Sequence, residues 1–314
     1  SGDNKGYAAY RFEEDFPKQN FIAAFAQTDA GDVSPNLAGH GGGHGAAGLK
    51  DVEDIGGKQY REAQQLFKQA GERGNYLTGS VNYRQQYVSM GQQNFACDEL
   101  SGCPSSNIIQ TCPAAIGESM LAGTSDGPAF GKQGVTSCEG VKSLLPKFQC
   151  SVMTKKTICQ GVKPIVLETN TQNPPWTPKV MPFSIVKIGN LGMIVSPFEL
   201  TTMSGRRVRE TLLPTLEPVG INKVVIAGYA NAYGGYVTTA QEYKAQRYEG
   251  ASDLFGPQSL NAQIKIYRQL AQSMVAGTPA PANVKLPPML TWNQMNIQTG
   301  VEEDAMKEGC LTFP

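Results

Sequence analysis

Apolar residues recur at helical spacing in several parts of the chain. Over residues 51–70 they return every three to four positions and Gly71 follows, which is typical of a helix that ends at a glycine. The same pattern predicts helices over 201–213 and 258–274, and an aromatic and acidic run predicts a shorter helix over 8–15.

Apolar runs of strand length lie between these helices. Gly189-Asn190 separates two of them and favours an antiparallel hairpin. Thr239 and Glu242 have capping-box spacing, which predicts the start of one more helix. Because strands alternate with helices, we expect an α/β fold with mixed β-sheets flanked by helices. The predicted strands cover residues 21–26, 81–90, 164–167, 183–188, 191–195 and 223–228.

The composition indicates long loops and argues against a nucleic-acid partner and against a membrane-spanning helix. Glycine (35) and proline (20) are abundant, and residues 91–160 show little periodicity, so we expect loops there. Lysine plus arginine equals aspartate plus glutamate at 27 each, which gives no overall field to attract nucleic acid. No apolar run reaches the ~18 residues that a transmembrane helix needs. We therefore expect no nucleic-acid partner and no membrane-spanning helix.

The seven cysteines indicate disulfides rather than a zinc ribbon. None forms the C-x-x-C pair that structural zinc sites use. Disulfides form in oxidising compartments, so we expect a secreted protein, or one at the extracellular face of a membrane or in the periplasm. Most of the cysteines lie in the loop-rich region 91–160, which disulfides would staple, and Cys310 is left over.

A serine with candidate chemistry follows the first predicted strand. Ser34 lies in the run Gly31-Asp-Val-Ser-Pro-Asn36, where Pro35 pushes the serine backbone out of the helical region. We expect Ser34 to cap a short helix that begins at Pro35, beside unpaired backbone N–H groups and a positive dipole end. Such an environment suits a nucleophile or an oxyanion, and the alternative is a plain Ser-Pro cap.

Other candidate groups follow the later strands. Glu199 lies at a strand-to-helix corner, where a carboxylate can be a metal ligand, a general base or a first-turn residue favoured by the dipole. Tyr229, Tyr233 and Tyr236 lie in a glycine-rich loop after the strand 223–228. A phenol there can donate a hydrogen bond to an oxyanion or ligate a metal, and the alternative is aromatic packing on the core.

The remaining charged candidates have simpler interpretations. His40 and His44, the only two histidines, are separated by three glycines, which hold neither a helix nor a preorganised metal site. We therefore expect both histidines in a solvated loop. Arg206, Arg207 and Arg209 are expected to form a solvated charged face of a helix.

Several long and unusual motifs occur together in one known family. They include Gly31-Asp-Val-Ser-Pro-Asn36, Phe198-Glu-Leu-Thr-Thr-Met-Ser-Gly-Arg-Arg207 and Gln246-Arg-Tyr-Glu-Gly250. In content and order the segments resemble the neutral ceramidases, zinc amidohydrolases that cleave N-acylsphingosine. The resemblance implies that residues 1–275 form the C-terminal portion of a ceramidase-like catalytic domain. It also implies that residues 276–314 are a proline-rich linker toward an immunoglobulin-like domain. The matching segments cover 1–7, 21–36, 198–207, 228–239 and 243–252.

The resemblance also assigns roles to single residues. It implies that Ser34 is the catalytic nucleophile and that Glu199 and Tyr236 ligate Zn²⁺. Tyr248 and Tyr236 would contact the substrate. The family's two zinc-binding histidines lie upstream of the segment that begins with Ser1. We therefore expect the N-terminal part of the catalytic domain as a partner, either a separate chain after proteolytic cleavage or sequence outside this chain.

The reaction implied by the resemblance is zinc-dependent hydrolysis of the ceramide amide bond to sphingosine and a fatty acid. Direct attack by Ser34 and attack by a zinc-bound water both stay open at this point. A lipid substrate of this kind is drawn from a membrane surface, so we expect transient membrane contact. The alternatives are a hydrolase of another N-acyl lipid and a non-catalytic lipid-binding protein on the same fold.

The resemblance further implies one disulfide, between Cys112 and Cys159. The other loop cysteines carry no such support, and their pairing rests on proximity in the sequence. The simplest remaining pairs are Cys97 with Cys103 and Cys138 with Cys150.

Overall fold

A computed structural model describes most of the chain. The described residues are 2–36, 49–74, 76–97, 108–125, 127–136, 159–286 and 289–291. Their helices are α1 (Asp3–Glu14), α2 (Leu49–Arg73), α3 (Thr202–Leu216), α4 (Ala240–Ala245), α5 (Tyr248–Ser252) and α6 (Ser259–Val275). Their strands are β1 (Val81–Ser89), β2 (Asn94–Ala96), β3 (Ile108–Gln110), β4 (Ala115–Gly117), β5 (Ile165–Glu168), β6 (Val180–Ile188), β7 (Leu191–Val195), β8 (Glu199–Leu200), β9 (Lys223–Ala227) and β10 (Tyr236–Val237).

A four-stranded sheet with the order β1-β6-β7-β9 organises the fold. β6 pairs antiparallel with β1 and β7, and β7 pairs parallel with β9. The predicted hairpin is confirmed, because Gly189 turns between β6 and β7 with φ of 60°, a left-handed conformation that favours glycine. α3 connects the parallel strands β7 and β9, so the prediction of an α/β fold with mixed sheets is confirmed.

The core lies between one face of this sheet and the helices α3 and α6, which also contact each other. The alternating β6 residues Met181, Phe183 and Ile185 are fully buried, as the two-residue period of a strand requires. The Tyr267 ring of α6 meets the Phe183 ring edge-on at 5.2 Å between centroids. Burying each of these large side chains contributes about 1.5–3 kcal/mol of transfer free energy, so this layer holds the sheet and helices together.

The loops that leave the carboxyl ends of β7 and β9 stay side by side. The Ser196 N–H donates to the Ala227 carbonyl at 2.8 Å, and the Ala230 N–H donates back to the Ser196 carbonyl at 2.9 Å. Each loop then contributes two residues to a small parallel pair, β8 with β10. This position, beyond the carboxyl ends of adjacent parallel strands, is where α/β folds form their ligand crevices.

The prediction of a buried strand over 21–26 is wrong. The described residues offer this segment no partner strand, and Ile22 is 84% exposed. The Ala23 N–H donates to the Glu13 side chain at 3.0 Å, and the carbonyl of Gln27 accepts from the Gly228 N–H at 3.2 Å. An apolar run becomes a strand only where a neighbouring backbone completes its hydrogen bonds, and sequence pattern does not report that neighbour.

The other predicted elements are confirmed with shifted ends. α1 begins earlier than predicted, and α2 continues past Gly71. α3 passes through Pro214 to Leu216, three residues beyond its predicted end at Leu213. The predicted capping box at the start of α4 is present, with both reciprocal hydrogen bonds between Thr239 and Glu242. The stretch 34–36 is not helical, so a helix beginning at Pro35 is not seen there, and residues 37–48 lie outside the described part.

The first part of the predicted linker lies along the edge strand β1. The Val284 N–H donates to the Tyr87 carbonyl at 3.2 Å, and the Tyr87 N–H donates to the Asn283 side chain at 2.9 Å. Arg84 donates from Nε to the Thr278 carbonyl at 2.9 Å. Covering an edge strand in this way removes a row of unpaired backbone groups. The remainder of the predicted linker, from 292 onward, lies outside the described residues.

The predicted disulfide between Cys112 and Cys159 is confirmed. Cys97 is also disulfide-bonded. The other cysteines of the predicted pairs, Cys103, Cys138 and Cys150, lie outside the described residues, as does Cys310.

A search of the described helices for one long and apolar enough to cross a membrane finds none.

Candidate active site

Glu199 and Tyr236 stand directly opposite each other in the parallel pair β8–β10. The Glu199 N–H donates to the Gly235 carbonyl at 3.0 Å, and the Thr201 N–H donates to the Val237 carbonyl at 3.0 Å. Partners in register on adjacent strands point to the same face of a sheet. The backbone pairing therefore brings together two groups that the sequence separates by a strand, a helix and a loop.

Tyrosines surround the Glu199 carboxylate. The Tyr233 hydroxyl donates to Glu199 Oε1 at 2.9 Å, and Tyr236 lies opposite Glu199 in the strand pair. The Tyr248 ring at the start of α5 meets the Tyr236 ring edge-on, with 5.5 Å between centroids and an interplanar angle of 86°. One cluster thus contains Glu199, Tyr236 and Tyr248, which were singled out separately in the sequence.

The loop that presents the tyrosines needs its glycines. Gly235 has φ of 78°, where glycine carries no steric penalty, and Tyr229 and Asn231 also have positive φ. A Cβ on Gly234 would lie 2.3 Å from the Phe198 ring, which is itself fully buried. The close approach of the loop to Phe198 therefore depends on the absence of a side chain at position 234.

Burial raises the pKa of each phenol in this cluster, and the nearby Glu199 charge raises it further. The pKa of Tyr229 rises to about 12, and those of Tyr233 and Tyr236 rise well above their usual value of 10. The phenols are therefore neutral at physiological pH, where they act as donors to the carboxylate. A divalent cation placed among these oxygens would reverse the balance, because it favours both the carboxylate and a phenolate.

The loop that carries Ser34 is attached to the residues that follow Glu199. The Gly31 N–H donates to the Leu200 carbonyl at 2.9 Å. The Asp32 carboxylate accepts hydrogen bonds from the Thr202 N–H at 2.7 Å and from the Thr202 hydroxyl at 2.9 Å, at the start of α3. Ser34 Oγ accepts from the Asn36 N–H at 2.9 Å, as a capping serine would. The structure thus brings the Ser34 loop against the Glu199 segment.

A buried ion pair fixes the beginning of the same loop. Asp29 is 6% exposed, and Arg209 Nη1 on α3 lies 2.5 Å from its carboxylate. Burial alone would raise the pKa of Asp29, but hydrogen bonds from Arg209 and Thr28 outweigh it and lower the pKa below its usual value. A Cβ on Gly205 would lie 2.2 Å from this carboxylate, so the glycine allows α3 to approach.

A cavity of about 890 Å³ opens beside Ser34. Its lining includes both apolar and charged groups and joins α1, the Ser34 loop and α3. The lining residues that these three elements contribute include Lys5, Val33, Ser34, Pro35, Thr202 and Arg209. A ligand placed in this cavity would reach the Ser34 hydroxyl.

The described residues contain two of the groups that the resemblance assigns to a zinc site, but not a complete set of ligands. Among them there is no group of three or more His, Cys, Asp and Glu side chains that could hold a metal ion. Glu199 and Tyr236 supply two oxygen donors that suit zinc, and zinc sites have about four ligands. His40 and His44 lie outside the described residues.

Three features of the site were missed or misread in the sequence. Arg209 was expected in a solvated charged face, but it pairs with buried Asp29, a residue 180 positions away. Asp32 and Tyr233 lie in the noted motifs, but no pattern shows that they bond Thr202 and Glu199. Gly205, a helix-interior glycine, was the available signal, because such a glycine costs helix stability and marks a close approach.

A family model described as neutral/alkaline non-lysosomal ceramidase, N-terminal, matches residues 1–265. The neutral ceramidase of Pseudomonas aeruginosa is 38% identical over 310 residues, covering 97% of this chain and 45% of that protein. Neutral ceramidase B of Dictyostelium discoideum is 36% identical over 319 residues, covering 90% of this chain and 44% of that protein. The chain therefore spans less than half the length of these relatives.

Solved structures give the same result. A structure titled "Ceramidase complexed with C2" superposes with a TM-score of 0.77 at 34% identity, covering 92% of this chain and 44% of that one. The crystal structure of neutral ceramidase from Pseudomonas aeruginosa superposes with a TM-score of 0.74 at 33% identity. The fold and the sequence therefore point to the same set of proteins.

Proposed function

The chain belongs to the neutral/alkaline non-lysosomal ceramidase family, and from this premise we propose that it is part of an amidohydrolase that cleaves the amide bond of ceramide. The products are sphingosine and a fatty acid. The observation that carries this proposal is the register of β8 with β10, which sets Glu199 beside Tyr236. These are the two residues of this chain that the resemblance assigns as zinc ligands.

The proposed cofactor is zinc, with Glu199 and Tyr236 as two of its ligands. The convergence of a carboxylate and neutral phenols on one point supports this assignment, since a cation would satisfy all of these oxygens. When bound, zinc polarises the amide carbonyl and lowers the pKa of a bound water to about 7. The two histidine ligands are proposed to come from polypeptide that precedes the segment beginning at Ser1.

Separate roles in amide hydrolysis are proposed for the residues of this chain. Tyr233 orients the Glu199 carboxylate through its 2.9 Å hydrogen bond. Tyr248 is proposed to donate a hydrogen bond to the substrate amide, and its edge contact with the Tyr236 ring supports this role. The Ser34 hydroxyl lines the 890 Å³ cavity. It either attacks the amide carbonyl, so that the C–N bond breaks, sphingosine leaves as the amine and water then hydrolyses the acyl-serine, or it orients a water that attacks the carbonyl in its place. Attachment of its loop through Asp32 and Thr202 supports a fixed position for this hydroxyl.

The proposed partner is the N-terminal part of the catalytic domain. One face of the central sheet supports it, because Tyr83, Val186, Met193 and Val225 form a cross-strand apolar row on the face opposite the core. Tyr83 is 68% exposed and Val225 is 36% exposed. An apolar sheet face normally packs against another layer, and the relatives have more than half of their length outside the matched region.

Two further proposals concern where the protein works. Ceramide partitions into lipid, so the active protein would contact a membrane surface transiently. The Cys112–Cys159 disulfide supports an oxidising compartment, such as the extracellular face or the periplasm.

The test is hydrolysis by the whole active protein with single substitutions. Ser34→Ala and Glu199→Ala are each expected to lower kcat by at least about 10³-fold, because each removes a group that acts in the transition state. Only Glu199→Ala is expected to release zinc, measured by elemental analysis. Glu210→Gln serves as the control, since Glu210 makes only an exposed ion pair with Arg206.

Near-normal turnover of ceramide by either variant would refute that residue's role. Release of fatty acid from other N-acyl lipids but not from ceramide would reassign the substrate. Zinc-free protein that binds ceramide without cleaving it would support the non-catalytic alternative.

A further inference from the structure

We propose that Asp253 is a positioning residue that sets Tyr236 and Tyr248 relative to each other. The proposal rests on the proposed function for the meaning of these tyrosines, but the contacts that support it are independent of any reaction. Asp253 is fully buried and lies one residue after α5, the helix that begins with Tyr248.

The Asp253 carboxylate connects that helix to the strand of Tyr236. Its Oδ2 accepts from the Thr238 N–H at 3.0 Å and from the Thr238 hydroxyl at 3.1 Å. Thr238 directly follows β10, which consists of Tyr236 and Val237. One carboxylate oxygen thus joins the end of the strand to the end of the helix.

The other carboxylate oxygen connects both elements to the core. Asp253 Oδ1 lies 2.6 Å from the hydroxyl of Ser259, the first residue of α6. α6 packs on the central sheet, and its residue Tyr267 is fully buried there. The carboxylate therefore also connects the two short elements to a helix that packs on the central sheet.

A buried lysine completes the arrangement. Lys163 is 3% exposed, and its Nζ donates to the Asp253 carbonyl at 2.5 Å and to the Ala115 carbonyl at 3.2 Å. It also lies 5.0 Å from the centroid of the Tyr243 ring. Burial lowers the pKa of Lys163 and raises that of Asp253, while the attraction between the two charges opposes both shifts. The buried ammonium therefore interacts with Asp253 through the backbone carbonyl and through the attraction between the two charges.

The two tyrosine-bearing elements cannot hold their own geometry. β10 has two residues and α5 has five, far below the length at which a helix is stable alone. Tyr236 and Tyr248 nevertheless meet at a ring separation of 5.5 Å. A site of this kind works only when its supporting residues hold it to within about 0.5 Å, and Asp253 is the buried group that contacts both supports.

The experiment compares two variants at this position in the whole active protein. Asp253→Leu with Lys163→Met removes both charges together, so no unpaired charge is left buried. Asp253→Asn with Lys163→Met also leaves no unpaired charge buried, but it keeps an oxygen that can accept from Thr238 and is the conservative rescue. The matched control is Lys187→Met. It removes a buried ammonium near the end of β6, which donates to the carbonyl and hydroxyl oxygens of Ser80.

Three quantities are measured: zinc affinity, kcat and KM separately, and amide hydrogen exchange of residues 236–252 in zinc-free protein. The Asp253→Leu/Lys163→Met variant is expected to bind zinc about 10-fold more weakly, to show a fall in kcat larger than any change in KM, and to exchange faster in this segment. The Asp253→Asn/Lys163→Met variant is expected to stay within about 3-fold of the wild type in kcat, KM and zinc affinity. Lys187→Met is expected to lower thermal stability without moving any of the three.

An Asp253→Leu/Lys163→Met variant that is less stable, but has wild-type zinc affinity and wild-type exchange over 236–252, would overturn the proposal. The exchange measurement separates this outcome from failure of the proposed function. If the Glu199→Ala variant stayed active, the proposed role of Glu199 would be refuted. Amide hydrogen exchange over 236–252 would still show whether Asp253 positions the segment.

Discussion

The two halves of the candidate site are built in opposite ways. Glu199 and Tyr236 belong to a backbone-paired unit whose inward residues, Leu200 and Val237, are fully buried. The Ser34 loop has one described backbone bond to that unit, from Gly31, and its other described attachments include the Asp29, Asp32 and Asn36 side chains. The proposed metal-binding half is thus set by the fold, whereas the proposed nucleophile half is set by side chains.

This difference has a consequence for substitution. Backbone pairing in the core fails only when packing fails, so changes there should cost stability and activity together. Side-chain attachments can be removed one at a time, so changes there should cost activity with smaller losses of stability.

The largest effect is expected from Gly234→Ala, which challenges the backbone-paired half. The new Cβ would lie 2.3 Å from the Phe198 ring, which is fully buried and has no room to move. Overpacking of this kind costs about 2–3 kcal/mol of unfolding free energy, and we expect zinc binding and kcat to fall with it. Chemical denaturation measures the first quantity and elemental analysis the second.

Gly71→Ala is the control for that change, because nothing lies within 4 Å of its added Cβ and it sits within α2. It should stabilise the protein by about 0.5–1 kcal/mol through helix propensity. Equal stability of the Gly234→Ala variant and the wild type would show that the tyrosine loop adapts freely, contrary to the comparison.

A smaller effect is expected from Arg209→Met, which challenges the side-chain-attached half. The substitution leaves the Asp29 carboxylate buried without its main partner, and because Arg209 is one-third exposed we expect a loss of about 1–2 kcal/mol at neutral pH. Ser34 would be misplaced, so kcat should fall while zinc content stays unchanged.

The pH dependence of this loss follows from the lowered pKa of Asp29. A lowered folded-state pKa contributes stability that is present above the unfolded value of about 4 and is lost as pH falls through the folded value. The difference between wild type and variant should therefore be full at pH 7 and shrink below about pH 4. A difference that is independent of pH would exclude the ion pair as its cause.

The smallest effect is expected from Tyr233→Phe, which removes one side-chain hydrogen bond within the proposed metal-binding half. The variant loses the 2.9 Å hydrogen bond to Glu199 but keeps the ring, so the global fold should be unaffected. Loss of a partner that orients a metal ligand typically weakens metal binding about 10-fold, and competition with a zinc chelator would measure it. Wild-type zinc affinity in this variant would show that the Tyr233 hydrogen bond is not needed to orient the carboxylate.

Much of the fold was predictable from local pattern. The spacing of apolar residues predicted α2, α3 and α6, and the turn residues predicted the hairpin at Gly189. The capping box at Thr239 and Glu242 was equally local. These features depend on residues within a few positions of one another, so one sequence contains all the information that they need.

The candidate site was predictable in its members but not in its arrangement. Ser34, Glu199, Tyr236 and Tyr248 were named from motifs, and the structure brings Glu199, Tyr236 and Tyr248 into one cluster with the Ser34 loop attached beside it. The expected strand over 21–26 failed because its backbone has no partner strand in the described part of the chain.

The sequence by itself therefore determined the periodic elements, the turn and capping residues, and the chemical groups available for catalysis. The tertiary structure alone decided which groups meet: Glu199 with Tyr236 through strand register, Asp29 with Arg209 across 180 positions, and Asp253 with Thr238 in the core. The physical reason is that periodicity depends on residues close together in the sequence. Two polar groups that are distant in the sequence form a buried hydrogen bond only when the packed fold brings them side by side.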